Sequence, residues 1–97
     1  MAKYVALIKF TADGVGDADK SLERAEKFRA NAEKAGVKVL TQLWTMGPYD
    51  GLLVLEGPEE QAVAALLLDL AHHGRVSTCT LRAFDAAEFA GVVKRLD

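Results

Sequence analysis

Four side chains in this sequence are of types that bind or transform small organic molecules: Trp44, Tyr49, Asp50 and Arg82. Tyr49 and Asp50 follow Gly47-Pro48 in a turn, where a phenol and a carboxylate can bind a polar ligand or position a proton donor. Trp44 and Arg82 lie on predicted strands, where an indole wall and a guanidinium can hold an aromatic or acidic ligand. We therefore take these four residues as candidate ligand-binding residues.

The same residues also have structural interpretations. Aspartate stabilises turns by accepting backbone hydrogen bonds, and tyrosine packs across hairpins. Trp and Arg are enriched at protein interfaces, and Arg82 could pair with Asp50 across the sheet or between subunits. If the protein is an enzyme, Tyr49 or Asp50 would serve as its acid or base, but the lack of a histidine placed to act as a base counts against catalysis. The sequence leaves ligand binding, catalysis and a purely structural role open, and it assigns no catalytic residue.

Metal and cofactor motifs are absent from the sequence. His72 and His73 are adjacent on a predicted helix, so their side chains point about 100° apart and cannot readily chelate one ion. They suit a helix C-terminus, where imidazolium favours the negative end of the dipole. The single cysteine, Cys79, is expected to be a packing residue. Residues 14–16, Gly-Val-Gly, are expected to form a flexible loop with only weak affinity for an anion. We therefore expect no metal and no cofactor.

Charge and hydropathy limit the partners of the protein. The chain has 12 basic and 14 acidic residues, a net charge of −2 and no basic run, so no surface for nucleic acid is expected. The longest nearly uncharged apolar stretch, residues 62–68, is far below the roughly 20 residues needed to span a bilayer. The N-terminal residues lack the apolar core and cleavage pattern of a signal peptide. We therefore expect a cytoplasmic protein without a membrane span.

The elements that would position the candidate residues follow from periodicity over one domain, residues 1–97. Alternating patterns rich in β-branched and aromatic residues predict strands at 3–10, 37–46, 51–56 and 75–84. Helical spacing predicts helices over 18–35, capped by Asp17 or Asp19, and from Pro58 to Gly74. Asp85 and Glu88 form a capping-box pattern before a short last helix. The order β-α-β-β-α-β predicts an α+β, ferredoxin-like fold with an antiparallel sheet.

The chain has more apolar residues than this fold needs, 51% of the total. Both long helices would cover one face of the sheet, yet the first and third strands are apolar on both faces. A second copy of the chain, sheet against sheet, is the simplest cover. We assign the even-numbered residues of the second and fourth strands, including Trp44 and Arg82, to the face without helices. The small odd-numbered residues of the fourth strand are assigned to the helices, and a one-residue shift in register would reverse both assignments.

Three segments carry a family resemblance. They are Trp44-Thr45-Met46-Gly47-Pro48-Tyr49-Asp50, Lys3-Tyr4-Val5-Ala6-Leu7 and Thr80-Leu81-Arg82-Ala83-Phe84. Together they resemble the GYD-domain family, named after a Gly-x-Tyr-Asp turn that corresponds here to Gly47, Tyr49 and Asp50. The resemblance implies a ferredoxin-like protomer that pairs through its sheet into a dimeric α+β barrel, and it implies no firmly assigned reaction.

The resemblance and the residues together predict a homo-oligomer, a homodimer in the simplest case, that binds a small organic ligand in a cavity between the sheets. The first alternative is a cofactor-independent monooxygenase or isomerase, since such enzymes occur in the wider superfamily. The second is a structural assembly module without a ligand.

Overall fold

The computed structural model describes all 97 residues, and its strands and long helices form where the hydrophobic periodicity predicts them. The elements are β1 (Ala2–Phe10), α1 (Ala12–Gly16), a 3₁₀ turn (Ala18–Lys20), α2 (Ser21–Lys34), β2 (Lys38–Trp44), β3 (Gly51–Gly57), α3 (Glu60–His72), β4 (Val76–Ala83) and α4 (Ala86–Val93). The strands form one antiparallel sheet in the order β2-β3-β1-β4. This is the ferredoxin-like arrangement that the sequence predicts.

The hydrophobic core lies between the sheet and the pair α2 and α3. Its side chains come from alternate positions of the two central strands and from helical positions three or four residues apart. They are Tyr4, Ala6, Ile8, Leu53 and Leu55 of the sheet, Phe28 and Ala32 of α2, Val63, Leu66 and Leu67 of α3, with Val37 and Val76. Ala6 and Leu55, on neighbouring strands, are fully buried, so the core is centred on β1 and β3. No helix has both the length and the apolar character needed to cross a lipid bilayer.

The loop predicted after β1 is instead the short helix α1. The Thr11 side chain accepts a hydrogen bond from the backbone N–H of Gly14 at 3.1 Å, which caps this helix. Gly14 is buried, and a Cβ atom at this position would lie 1.8 Å from the carbonyl oxygen of Arg75. The glycine is therefore required by the close approach of two backbones rather than by flexibility.

Helix boundaries differ from the prediction at two further places. Regular α2 begins at Ser21 behind a 3₁₀ turn, and neither Asp17 nor Asp19 caps it through its side chain. The N-cap of α3 is Glu59, and Pro58 comes before it. Pro58 therefore belongs to the connection between β3 and α3 and is not the first residue of the helix. The capping box of α4 is confirmed: the Asp85 carboxylate accepts the backbone N–H of Glu88 at 2.8 Å, completing the reciprocal pair.

The assignment of the two sheet faces is wrong. Arg82 pairs with the core residue Tyr4, and Trp44 pairs with Gly51, which lies beside Ile8 of the core. Since paired residues share a face, Gln42, Trp44 and the even-numbered residues of β4 lie on the side of the helices, whereas a bulge between Val39 and Thr41 leaves Lys38, opposite Glu56, on the other face. The small odd-numbered residues of β4 face the opposite side. The prediction failed because β4 is an edge strand that α3 covers only partly. Polar side chains can therefore lie on its helix side and still be exposed to water.

The face without helices, called the open face below, is apolar at its centre. It comprises Val5, Leu7, Leu52, Val54 and Leu81, flanked by Leu43 and Cys79. The four residues on β1 and β3 are half-buried by their neighbours alone, whereas Leu43 and Leu81 are about half exposed. The surplus of apolar side chains therefore lies on strands one and three, as predicted.

Candidate functional site

Trp44 and Asp50 come together at a cavity of about 70 Å³ between α2 and one end of the sheet. Trp44 ends β2, and Asp50 immediately precedes β3, so the hairpin brings them to the same end. The wall of the cavity is mainly hydrophobic. Its other hydrophobic residues include Ile8, Phe10, Phe28, Leu53, Leu70 and Val76, and its polar residues include Arg24 and Gln42. This cavity is on the helix side of the sheet and not on the open face.

Asp50 fastens the hairpin turn to β1. Its backbone N–H donates to the carbonyl of Ile8 at 2.8 Å, and its carboxylate Oδ2 accepts the backbone N–H of Phe10 at 2.8 Å. The Asp50 carbonyl accepts the N–H of Thr45 at 2.9 Å, which closes the turn. The side chain thus continues the ladder between β1 and β3 for one further residue. This supports the structural interpretation of the Gly-x-Tyr-Asp turn.

Tyr49 lies beside the cavity but does not line it. Its backbone carbonyl accepts a hydrogen bond from the Thr45 hydroxyl at 2.7 Å, and its side chain is 37% exposed. The turn therefore holds the backbone of Tyr49 and leaves the phenol at the surface.

Arg82 is separated from the other three candidates. It pairs with Tyr4, which is four residues from Ile8 along β1, or about 13 Å at the rise of a strand. Its guanidinium stacks over the rings of Phe84 and Tyr4, with 4.5 and 5.6 Å to the ring centroids, and donates to the carbonyl of Lys3 at 3.2 Å. The structure forms no Arg82–Asp50 pair within the chain.

Arg24 is a residue of this region that sequence reasoning missed. Its Nη1 donates to the carbonyl of Asp17 at 3.2 Å, whereas its Nη2 is buried and has no hydrogen-bond partner within the protein. The signal in the sequence is the spacing of Arg24, Phe28 and Ala32, four residues apart, which places the arginine on the buried stripe of α2.

A larger groove of about 390 Å³ lies between α2 and α3 next to this cavity. Most of its lining is polar, and the two hollows share Arg24, Phe28, Leu70 and Val76. The Asp17 carboxylate lies at one end of the groove, where it accepts a hydrogen bond from Arg75 Nε at 2.8 Å.

Lys3 is surrounded by three carboxylates where α4 begins, at one end of the open face. Its Nζ lies 3.2 Å from Asp85, 3.3 Å from Glu88 and 3.4 Å from Glu56. The hydrogen bond to Asp85 is the main cause that raises the pKa of Lys3 above 10.5. The backbone N–H of Glu88 and the ammonium of Lys3 lower the pKa of Asp85, and the backbone N–H of Asp85 is the main cause that lowers the pKa of Glu88. These contacts hold the start of α4 against the sheet.

The histidine and cysteine side chains form no metal centre. The rings of His72 and His73 have centroids 6.2 Å apart with planes at 62°, and no group of three or more His, Cys, Asp or Glu side chains is arranged to hold an ion. His73 lies 3.9 Å from Asp69, one turn back on α3. Cys79 is exposed on the open face, so the prediction that it packs within this chain is wrong.

An antiparallel sheet of this strand order, with two helices on one face, defines the ferredoxin-like class of α+β proteins. The family model described as "GYD domain" matches residues 4–93, and the chain belongs to this family. A protein of Thermus thermophilus named "Glutamine synthetase and cystathionine beta-lyase binding protein" is 34% identical over 95 residues, which cover 97% of this chain and 100% of that protein.

A solved structure shares the fold. It is a homoserine dehydrogenase from Thiobacillus denitrificans, with a TM-score of 0.55 and 15% identity. The match covers 87% of this chain, and the chain spans only 17% of the dehydrogenase. At this identity the likeness concerns the fold alone.

Proposed function

We propose that this protein is a homodimeric binding protein whose two copies associate through their open faces. The observation that carries the proposal is the apolar centre of the open face, which no element of the chain covers. An antiparallel sheet with one face in water normally alternates apolar and polar residues, and here Val5, Leu7, Leu52 and Val54 break that rule. A second copy with the same face provides a matching apolar surface.

Helix α4 extends this surface. It starts beside Lys3, at one end of the open face, and its apolar side chains Phe89, Val92 and Val93, together with Leu96 just beyond its end, are all 40% or more exposed. A helix with an unpartnered apolar stripe needs a surface to pack on. In the proposed dimer, α4 of one copy packs along the margin of the partner's sheet and lengthens the interface.

The relative from Thermus thermophilus supports a role in binding other proteins. The name of that relative states that it binds two enzymes, and the whole length of the relative matches this chain. We propose that the dimer of this chain likewise binds protein partners and serves as a binding rather than a catalytic component. The Asp50 carboxylate supports this role, because one of its oxygens holds the amide of Phe10 and thereby stabilises the fold.

Binding of a small organic ligand is the second candidate function, favoured by the cavity that Trp44 and Asp50 line. The cavity of about 70 Å³ is less than half of the ~150 Å³ that accommodates a benzene ring in an engineered protein core. It therefore has room for a small substituent of a ligand whose remainder lies outside. A site between the opposed sheets would use Val5, Leu7 and Val54 instead of the residues that the sequence suggested.

Adjacent residues of β4 offer a matched test of the dimer. Leu81 lies on the open face and Thr80 on the helix side, and both are exposed in the single chain, so lysine at either position leaves the core intact. Leu81 is 48% exposed, and burying a whole leucine contributes about 1.5–3 kcal/mol, so each copy would lose about 1 kcal/mol of interface stability. A two-fold interface contains this position twice, which weakens the dimer about 30-fold or more.

The measurement is the dimer dissociation constant of Leu81→Lys, Thr80→Lys and the original protein by sedimentation equilibrium. We expect Leu81→Lys to dissociate at concentrations where Thr80→Lys remains dimeric. Equal dimerisation of both variants would contradict the proposed interface.

A further inference from the structure

The groove between α2 and α3 has the size of a small-molecule site. Its volume of about 390 Å³ lies within the range of roughly 300–1,000 Å³ that is typical of ligand pockets. The hydrophobic side chains that line it are Phe28, Leu70 and Val76, and the rest of its lining is polar. The polar lining carries both acidic and basic side chains.

The charges in the groove are unbalanced in favour of cations. Asp17 is already paired with Arg75, whereas Asp69 has only His73 nearby, at 3.9 Å. Lys20, Arg24 and Lys27 have no ion pair within 4.0 Å, and they outnumber the two lining carboxylates without a Lys or Arg partner, those of Glu23 and Asp69. The chain as a whole has a net charge of −2. The groove is therefore a local positive site on an acidic protein.

The spacing of these cations places them along one side of α2 and of the 3₁₀ turn that precedes it. Lys20, Arg24 and Lys27 follow one another at four and three residues, which is the spacing of one helix face. Arg24 is the innermost, half-buried next to Phe28, and its buried Nη2 makes no hydrogen bond within the protein. An arginine fork binds a carboxylate or a phosphate through two parallel hydrogen bonds, whereas lysine acts as a point charge.

We propose that this groove binds a small organic anion through a carboxylate or phosphate group held by Arg24. The inner guanidinium provides the directional hydrogen bonds, and Lys20 and Lys27 at the rim supply the remaining positive charge. The site is on the opposite side of the sheet from the open face, so a dimer formed through the open faces leaves it accessible. It does not depend on the proposed dimer.

Isothermal titration calorimetry with two probes, inorganic pyrophosphate and citrate, tests the proposal. We expect one site per chain for at least one probe, and the preference between them distinguishes a phosphate from a carboxylate ligand. Arg24→Met should weaken binding about tenfold or more, since it removes a charge-assisted hydrogen bond. Arg95→Met, an equal change of charge at an exposed position outside the groove, should leave the affinity unchanged.

Lys20→Met/Lys27→Met tests the same site without touching a half-buried residue, so it remains informative if Arg24→Met does not fold. We expect this double variant to bind at least several-fold more weakly than the original protein. The proposal is overturned if neither probe binds, or if the Arg95 variant loses as much affinity as the groove variants.

Discussion

Removal of the Asp50 carboxylate should destabilise the fold by an amount that the structure defines. The Asp50→Ala variant loses the 2.8 Å hydrogen bond from the Phe10 amide and leaves that half-buried N–H without its acceptor. A hydrogen bond to a charged group contributes about 1.5–3 kcal/mol to stability. For a domain of this size, a loss of about 2 kcal/mol lowers Tm by roughly 8–16 °C.

Urea denaturation followed by circular dichroism, at one fixed protein concentration, measures this loss. Asp50→Asn is the informative partner, because the amide oxygen of asparagine still accepts the Phe10 N–H and should retain part of the stability. Asp19→Ala is the matched control: Asp19 is exposed, forms no ion pair and caps no helix. If Asp50→Ala and Asp19→Ala unfold at the same urea concentration, the assigned role of the Asp50 side chain is wrong.

Two further predictions concern α4 and α1. Folding lowers the pKa of Asp85 from 3.8 and that of Glu88 from 4.5. The two carboxylates therefore stabilise the fold fully when the pH is above these ordinary values. This stabilisation is lost as the pH falls through the lower pKa values of the folded state. NMR chemical shifts of the α4 amides should therefore change in acid below about pH 4 and stay constant from there to neutral pH; a change centred near pH 6 would contradict the assignment. Gly14→Ala should destabilise the protein by more than 2 kcal/mol, on the order expected for overpacking, because its Cβ would lie 1.8 Å from a backbone oxygen. Gly91→Ala, where a Cβ meets nothing within 4 Å, should leave the urea midpoint unchanged or raise it.

The element order was predictable because strands and helices have different hydrophobic periods. The faces of the sheet were not, because β1 is apolar on both sides and its pattern does not reveal whether Tyr4 or Val5 points to the core. On β4, alternating small and polar residues invited the opposite choice for Arg82. The strand pairing of the folded sheet determines the face of Arg82, since Arg82 lies opposite the core residue Tyr4.

The candidate site was predictable only in part. Trp44 and Asp50 converge because a hairpin joins the ends of β2 and β3, and hairpins are visible in the sequence. Arg82 lies near the other end of the sheet. Its distance from Trp44 and Asp50 depends on the register in which β4 pairs with β1. Arg24 was not predicted because an arginine between charged neighbours indicates a surface position. Its Nη2 is buried only because α2 packs on the sheet.

The central claim is that two copies of this chain associate through their open faces. Sedimentation equilibrium of the original protein at micromolar concentration tests it most directly, because the chain mass is 10.5 kDa. We predict a particle of twice the chain mass. A single species of 10.5 kDa would contradict the account, since the apolar open face would then remain in contact with water.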